Sequence, residues 1–89
     1  MKCINYSNVK VLLIDDEKDI TDLIEDVLIK DGLKNILKAH CGLDGIKICR
    51  EEKPNIVILD IMLPDIDGIE VCKKIREFSY FLSNELQII

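Results

Sequence analysis

No run of apolar residues in this 89-residue sequence approaches the ~20 needed to span a bilayer. The opening stretch, Met1–Asn8 (MKCINYSN), carries one lysine and no long apolar segment, so it does not read as a signal peptide. These absences lead to the expectation of a cytoplasmic protein with no membrane role. Histidine occurs once, at His40, and the four cysteines, Cys3, Cys41, Cys49 and Cys72, form no C-x-x-C pair. Zinc sites are built on closely spaced thiols and imidazoles, so none is expected. In a reducing compartment the cysteines behave as small hydrophobes; Cys49 and Cys72 fall within apolar helical patterns. Clustered basic residues are also missing. The densest group is Lys73, Lys74 and Arg76, and the net charge is −5. Nucleic-acid backbones require concentrated Lys and Arg, so no nucleic-acid partner is expected. That small group reads as the solvated face of a helix. Repeats, low-complexity tracts and linkers are absent too, and 89 residues leave room for one domain.

What remains is a strand–helix alternation. Val9–Ile14 (VKVLLI) is apolar except for Lys10, as suits a strand buried on both faces. It ends abruptly in Asp15-Asp16-Glu17. Ile20, Leu23, Ile24, Val27 and Leu28 then recur at helical spacing, and Gly32 is a natural stop. Asn35–His40 makes a short second strand, with His40 read as a structural residue at its end. Leu43, Ile46 and Cys49 mark a second helix that closes before Pro54. Ile56–Leu59 (IVIL) repeats the character of the first strand and again ends in an aspartate, Asp60. The turn Leu63–Gly68 (LPDIDG) follows, and Ile69, Cys72 and Ile75 line a third helix. After Glu77 the helical signal weakens, and Leu86–Ile89 either begins a fourth strand or trails the helix. Such alternation predicts an α/β fold with a parallel sheet and right-handed crossovers. With the first strand beside the third, Asp15, Asp16 and Asp60 converge outside the carboxyl ends of the strands, where ligands of such sheets bind.

A single aspartate after a strand is most often a turn former or a helix cap. Two buried strands ending in acids, one in an adjacent pair, shift that balance. Carboxylates packed together raise one another's pKa, a cost that a cation removes. All-oxygen ligation with room for water suits Mg²⁺. The residues alone thus suggest a divalent-metal site beside a carboxylate able to act as a nucleophile.

The stretch VLLIDDEKDI, followed by NIVILDIMLPDIDGIEVCKKIRE, resembles the receiver domain of two-component response regulators over about Lys10 to Glu77. The resemblance implies a flavodoxin-like three-layer α/β/α fold. It matches Asp60 to the phosphoacceptor, and Asp15 and Asp16 to the acidic pair that holds Mg²⁺ with Asp60. Met62 matches the residue whose backbone carbonyl completes the protein's share of the metal site. The implied partner is a sensor histidine kinase or phosphotransfer protein, and the implied role is that of an acceptor, not an enzyme.

Receivers of this family continue through a fourth strand ending in Ser or Thr and a fifth ending in Lys. This chain reaches Ile89 before either, and Phe78–Ile89 (FSYFLSNELQII) departs from the usual pattern. The expectation is one partial receiver domain over residues 1–89, with an atypical tail over 78–89 and impaired phosphorylation. The first helix is expected alone on its sheet face, which predicts a homodimer covering that apolar surface, by domain exchange of the third helix and tail as one route. The competing reading is a receiver-derived module that dimerises or binds a kinase without being phosphorylated. A phosphatase with its nucleophile after the first strand ranks behind both, because those enzymes carry D-x-D where this chain has Asp15-Asp16-Glu17.

Overall fold

Strands and helices alternate along the chain: β1 (Lys10–Ile14), α1 (Lys18–Lys30), β2 (Asn35–Ala39), α2 (Gly42–Glu52), β3 (Ile56–Leu59), α3 (Gly68–Leu82) and β4 (Gln87–Ile88). This computed structural model describes residues 8–82 and 87–88, with side chains as far as Glu77. The strands are all parallel and stand in the order β2-β1-β3-β4. Central β1 pairs Ile14 with Ala39 of β2 on one side and with Leu59 of β3 on the other.

Burial of both sheet faces explains why β1 is apolar without alternation: Val11, Leu12, Leu13 and Ile14 are each no more than 1% exposed. Leu12 and Ile14 point into a core shared with Ile46 and Cys49 of α2, Val57 of β3, and Val71 and Ile75 of α3. Val11 and Leu13 point to the opposite side, where Ile24 and Leu28 of α1 pack with Ile36, Ile56 and Ile58. The result is the flavodoxin-like α/β/α sandwich, with α1 alone on its face among the described residues. At the opposite end from the acids, the Lys10 N–H donates to Asn55 Oδ1 and the Asn55 N–H to the Lys10 carbonyl, both at 2.8 Å. These bonds hold the starts of β1 and β3 together.

Several boundaries and faces differ from those expected. Val9 and His40 fall outside their strands. Helix α3 continues to Leu82, since Phe78–Leu82 contains no Gly or Pro to stop it. Residues 87–88 do form a strand, pairing with Ile56 and Val57 of β3. The apolar faces agree in part: Ile46 and Cys49 of α2 and Ile75 of α3 are buried as expected. Leu23 and Val27 of α1 and Leu43 of α2 are exposed, as is Ile69 of α3, while Val71 and Ile75 are fully buried and Cys72 is half-buried. A glycine makes room for α3. A Cβ on buried Gly42 would lie 2.8 Å from Val71 Cγ2, so the bare backbone at the start of α2 leaves space for Val71. The side chains of Phe78, Tyr80 and Phe81, and the leader with Cys3 and Tyr6, lie outside the described residues.

Candidate functional site

Asp15 and Asp60 are each the first residue after a neighbouring strand, and the parallel ladder carries on just far enough to fix them. The Asp60 N–H donates to the Ile14 carbonyl at 2.9 Å, and the Asp15 N–H to the Ala39 carbonyl at 3.1 Å. Both therefore emerge at the carboxyl edge of the sheet, next to exposed Asp16. Each of the three offers one carboxylate oxygen, and these oxygens lie within 4.8 Å of one another. Backbone amides orient two of the side chains: Glu17 N–H donates to Asp15 Oδ1 at 2.9 Å, and Met62 N–H to Asp60 Oδ1 at 3.1 Å.

Three carboxylates at that spacing repel one another unless positive charge is placed between them. A hard divalent ion that accepts carboxylate and carbonyl oxygens fits the set. Two hollows flank the cluster. One is a groove between α1 and the ends of β1 and β3, lined by Asp15, Ile20, Thr21, Ile24, Ile58 and Asp60 among others. The other runs along the loop from Ile61 to Asp67 and includes Asp16 and Met62.

That loop is pinned at several points. Gly68 N–H donates to the Ile61 carbonyl at 2.9 Å, closing its base, and Ile69 N–H donates to Asp67 Oδ1 at 2.9 Å, capping α3. Asp65 reaches across to α2, taking the Gly42 N–H on Oδ1 at 2.8 Å and the Leu43 N–H on Oδ2 at 2.9 Å. These bonds, that from Leu43 foremost, hold the Asp65 carboxyl below its ordinary pKa.

Asp15, Asp16, Asp60 and Met62, the residues singled out from sequence, thus share one end of the sheet. Met62 is 83% exposed, and it is its backbone N–H that meets Asp60. Sequence reasoning missed the reach of Asp65, although a signal existed: α2 opens on Cys41-Gly42 with no Ser, Thr, Asp or Asn to cap it. It also missed Thr21, fully buried on α1, whose Oγ1 donates to the Lys18 carbonyl at 3.0 Å and lies 3.3 Å from His40 Nε2.

The family model for the response regulator receiver domain matches residues 11–89. The chain belongs to that family. The match runs on through residues 78–89. Among solved structures, the response regulator receiver domain protein from Clostridium thermocellum is 27% identical with a TM-score of 0.79, the match covering 90% of this chain and 61% of that one. The Francisella response regulator 1452 receiver domain is 28% identical with a TM-score of 0.74, over 81% of this chain and 59% of that one. The response regulator domain of Thermotoga maritima CheB is 25% identical with a TM-score of 0.77, over 90% and 57% respectively. This receiver chain thus spans about three-fifths of the length of the solved relatives it matches. No helix among its described residues is long and apolar enough to cross a membrane.

Proposed function

We propose that this receiver takes a phosphoryl group onto Asp60 from a sensor histidine kinase or phosphotransfer protein in the cytoplasm, with Mg²⁺ held beside it. The observation that carries the reading is the gathering of the Asp15, Asp16 and Asp60 carboxylates within 4.8 Å at the carboxyl edge of a parallel sheet. Those three side chains, with the Met62 carbonyl that the family resemblance assigns, are the groups that would hold the metal. When bound, the ion supplies positive charge that offsets the carboxylates and the incoming phosphoryl oxygens.

The chain's own residues supply position. The Met62 N–H on Asp60 Oδ1 fixes the rotation of the acceptor carboxylate, and the Asp60–Ile14 ladder bond fixes its backbone. A carboxylate oxygen of Asp60 bonds to phosphorus as the N–P bond of a phosphohistidine breaks. The electron pair leaves with the imidazole nitrogen, and an aspartyl phosphate remains. Holding the acceptor in line removes much of the entropic barrier to this transfer. The chain is consumed one phosphoryl group at a time, so it acts as an acceptor and not as an enzyme. The added negative charge then biases the partners that read it.

Intact mass after incubation with a small-molecule phosphodonor and Mg²⁺ tests this, beside Asp60→Ala. One phosphoryl adduct that needs the metal and vanishes in the variant is the expected result. A folded protein that gains none is instead the unphosphorylated binding module.

Leu23 and Val27, 61% and 59% exposed on α1, support a second proposal: a homodimer in which the copies cover this stripe, directly or by exchanging α3 and the tail. Sedimentation as a folded monomer overturns it.

A further inference from the structure

The first turn of α2 depends on a residue more than twenty positions away. Cys41, at its N-cap, has extended backbone and makes no side-chain cap bond. The amides of Gly42 and Leu43 are taken instead by the two carboxylate oxygens of Asp65, at 2.8 and 2.9 Å. A carboxylate there answers two of the helix's unpaired N–H groups and faces its positive dipole end. Close approach is possible because residue 42 is glycine: a Cβ would collide with Ile66 Cγ2. Ile66 and Leu63 pack against the core beneath, so the loop is gripped from above by α2 and from below by the core. Three residues before Asp65 stands Met62, whose N–H orients Asp60 Oδ1 at 3.1 Å.

We propose that Asp65 is a positioning residue of the Asp60 site: by clasping the start of α2 it fixes the loop that brings the Met62 backbone to the acceptor carboxylate. The inference rests on the reading of Asp60 as phosphoacceptor for its consequence, but its geometry is separately testable. Asp65 itself would touch neither metal nor phosphoryl group. Its effect passes through the loop.

The test uses the full chain and three variants, Asp65→Ala, Asp65→Asn and Cys49→Ala. The last removes a side chain buried in the core on α2, so it weakens the fold while leaving both Asp65 bonds to the start of α2 in place. Amide hydrogen exchange at Met62 is measured first, without metal. It accelerates in Asp65→Ala and stays near the native rate in Cys49→Ala when both are compared at equal margins below their melting temperatures. The dissociation constant for Mn²⁺, the probe metal, is measured next. Asp65→Ala raises it about tenfold, the scale of losing a group that supports metal ligands. Asp65→Asn keeps one acceptor oxygen and raises it less. An unchanged Met62 amide in Asp65→Ala, with only the melting temperature lowered, makes Asp65 a helix cap and overturns the proposal. Equal losses of metal affinity in the Asn and Ala variants, with the Gly42 amide still protected in Asn, also overturn it, because charge alone would then be responsible. A native chain that binds Mn²⁺ but forms no Asp60 adduct defeats the acceptor reading and leaves the clasp standing.

Discussion

The ammonium of Lys38, on β2, lies 3.0 Å from Asp22 Oδ1 and 2.8 Å from Glu25 Oε1, so one cation on a strand joins two acids on α1. Glu25 first, then Asp22, raises the Lys38 pKa above 10.5, and the bond from Lys38 is the main cause lowering that of Asp22 below 3.8. The signs differ at the two ends of the pH scale. The Asp22 contribution is present above 3.8 and is lost as pH falls through its lower folded value. The Lys38 contribution is complete below 10.5 and is lost as pH rises through its higher folded value. Lys38→Met is expected to flatten both limbs of a plot of melting temperature against pH. At neutral pH it lowers the melting temperature by only a few degrees, since partly exposed ion pairs contribute little.

Gly42→Ala carries an expectation opposite to that for an ordinary helix position. Alanine usually favours a helix over glycine by ~1 kcal/mol. Here the added methyl meets Ile66 and Val71, and overpacking of this kind costs about 1–3 kcal/mol. Urea denaturation should show a lower midpoint with an unchanged slope. A rise in the midpoint would show that the loop simply moves aside.

Burial pushes the Cys49 thiol up to about 11, so very little thiolate exists there near neutral pH. Half-buried Cys72 offers the contrast. Peptide mapping after brief treatment with a thiol reagent should find Cys72 labelled and Cys49 untouched, with Cys49 joining only in denaturant. Early labelling of Cys49 would contradict its place in the core.

Leu12 and Leu43 look alike in sequence and sit in opposite environments, 0% and 60% exposed. Leu12→Ala should cost about 2–5 kcal/mol, as truncations in a closed core do. Leu43→Ala should change stability by no more than about 0.5 kcal/mol. Matched denaturation curves decide this directly.

Those two leucines also mark where sequence reasoning succeeds and where it ends. Strand β1 was legible because four consecutive apolar residues need cover on both faces, and the sheet supplies it. Asp15 and Asp60 were legible as a pair because acids abruptly end two such runs, and adjacent parallel strands bring them together. Helix phase was less legible. The stripes through Leu43 and Ile69 are regular, yet which residues face inward depends on neighbours far along the chain, as where Gly42 leaves room for Val71 and Ile66. The Asp65 clasp and the Thr21–His40 contact were hidden for a related reason. Each joins residues 19 or more positions apart, and no local spacing encodes a meeting of that kind.

The position of β1 has a consequence for how the molecule comes into being. The strand on which everything else leans is synthesised before both its partners, residues 35–39 and 56–59, which follow one and two helices later. As it leaves the ribosome, VLLI has no neighbour on either edge and no cover on either face. The nascent chain must keep its most adhesive segment harmless until α1 and β2, and later β3, arrive to cover it.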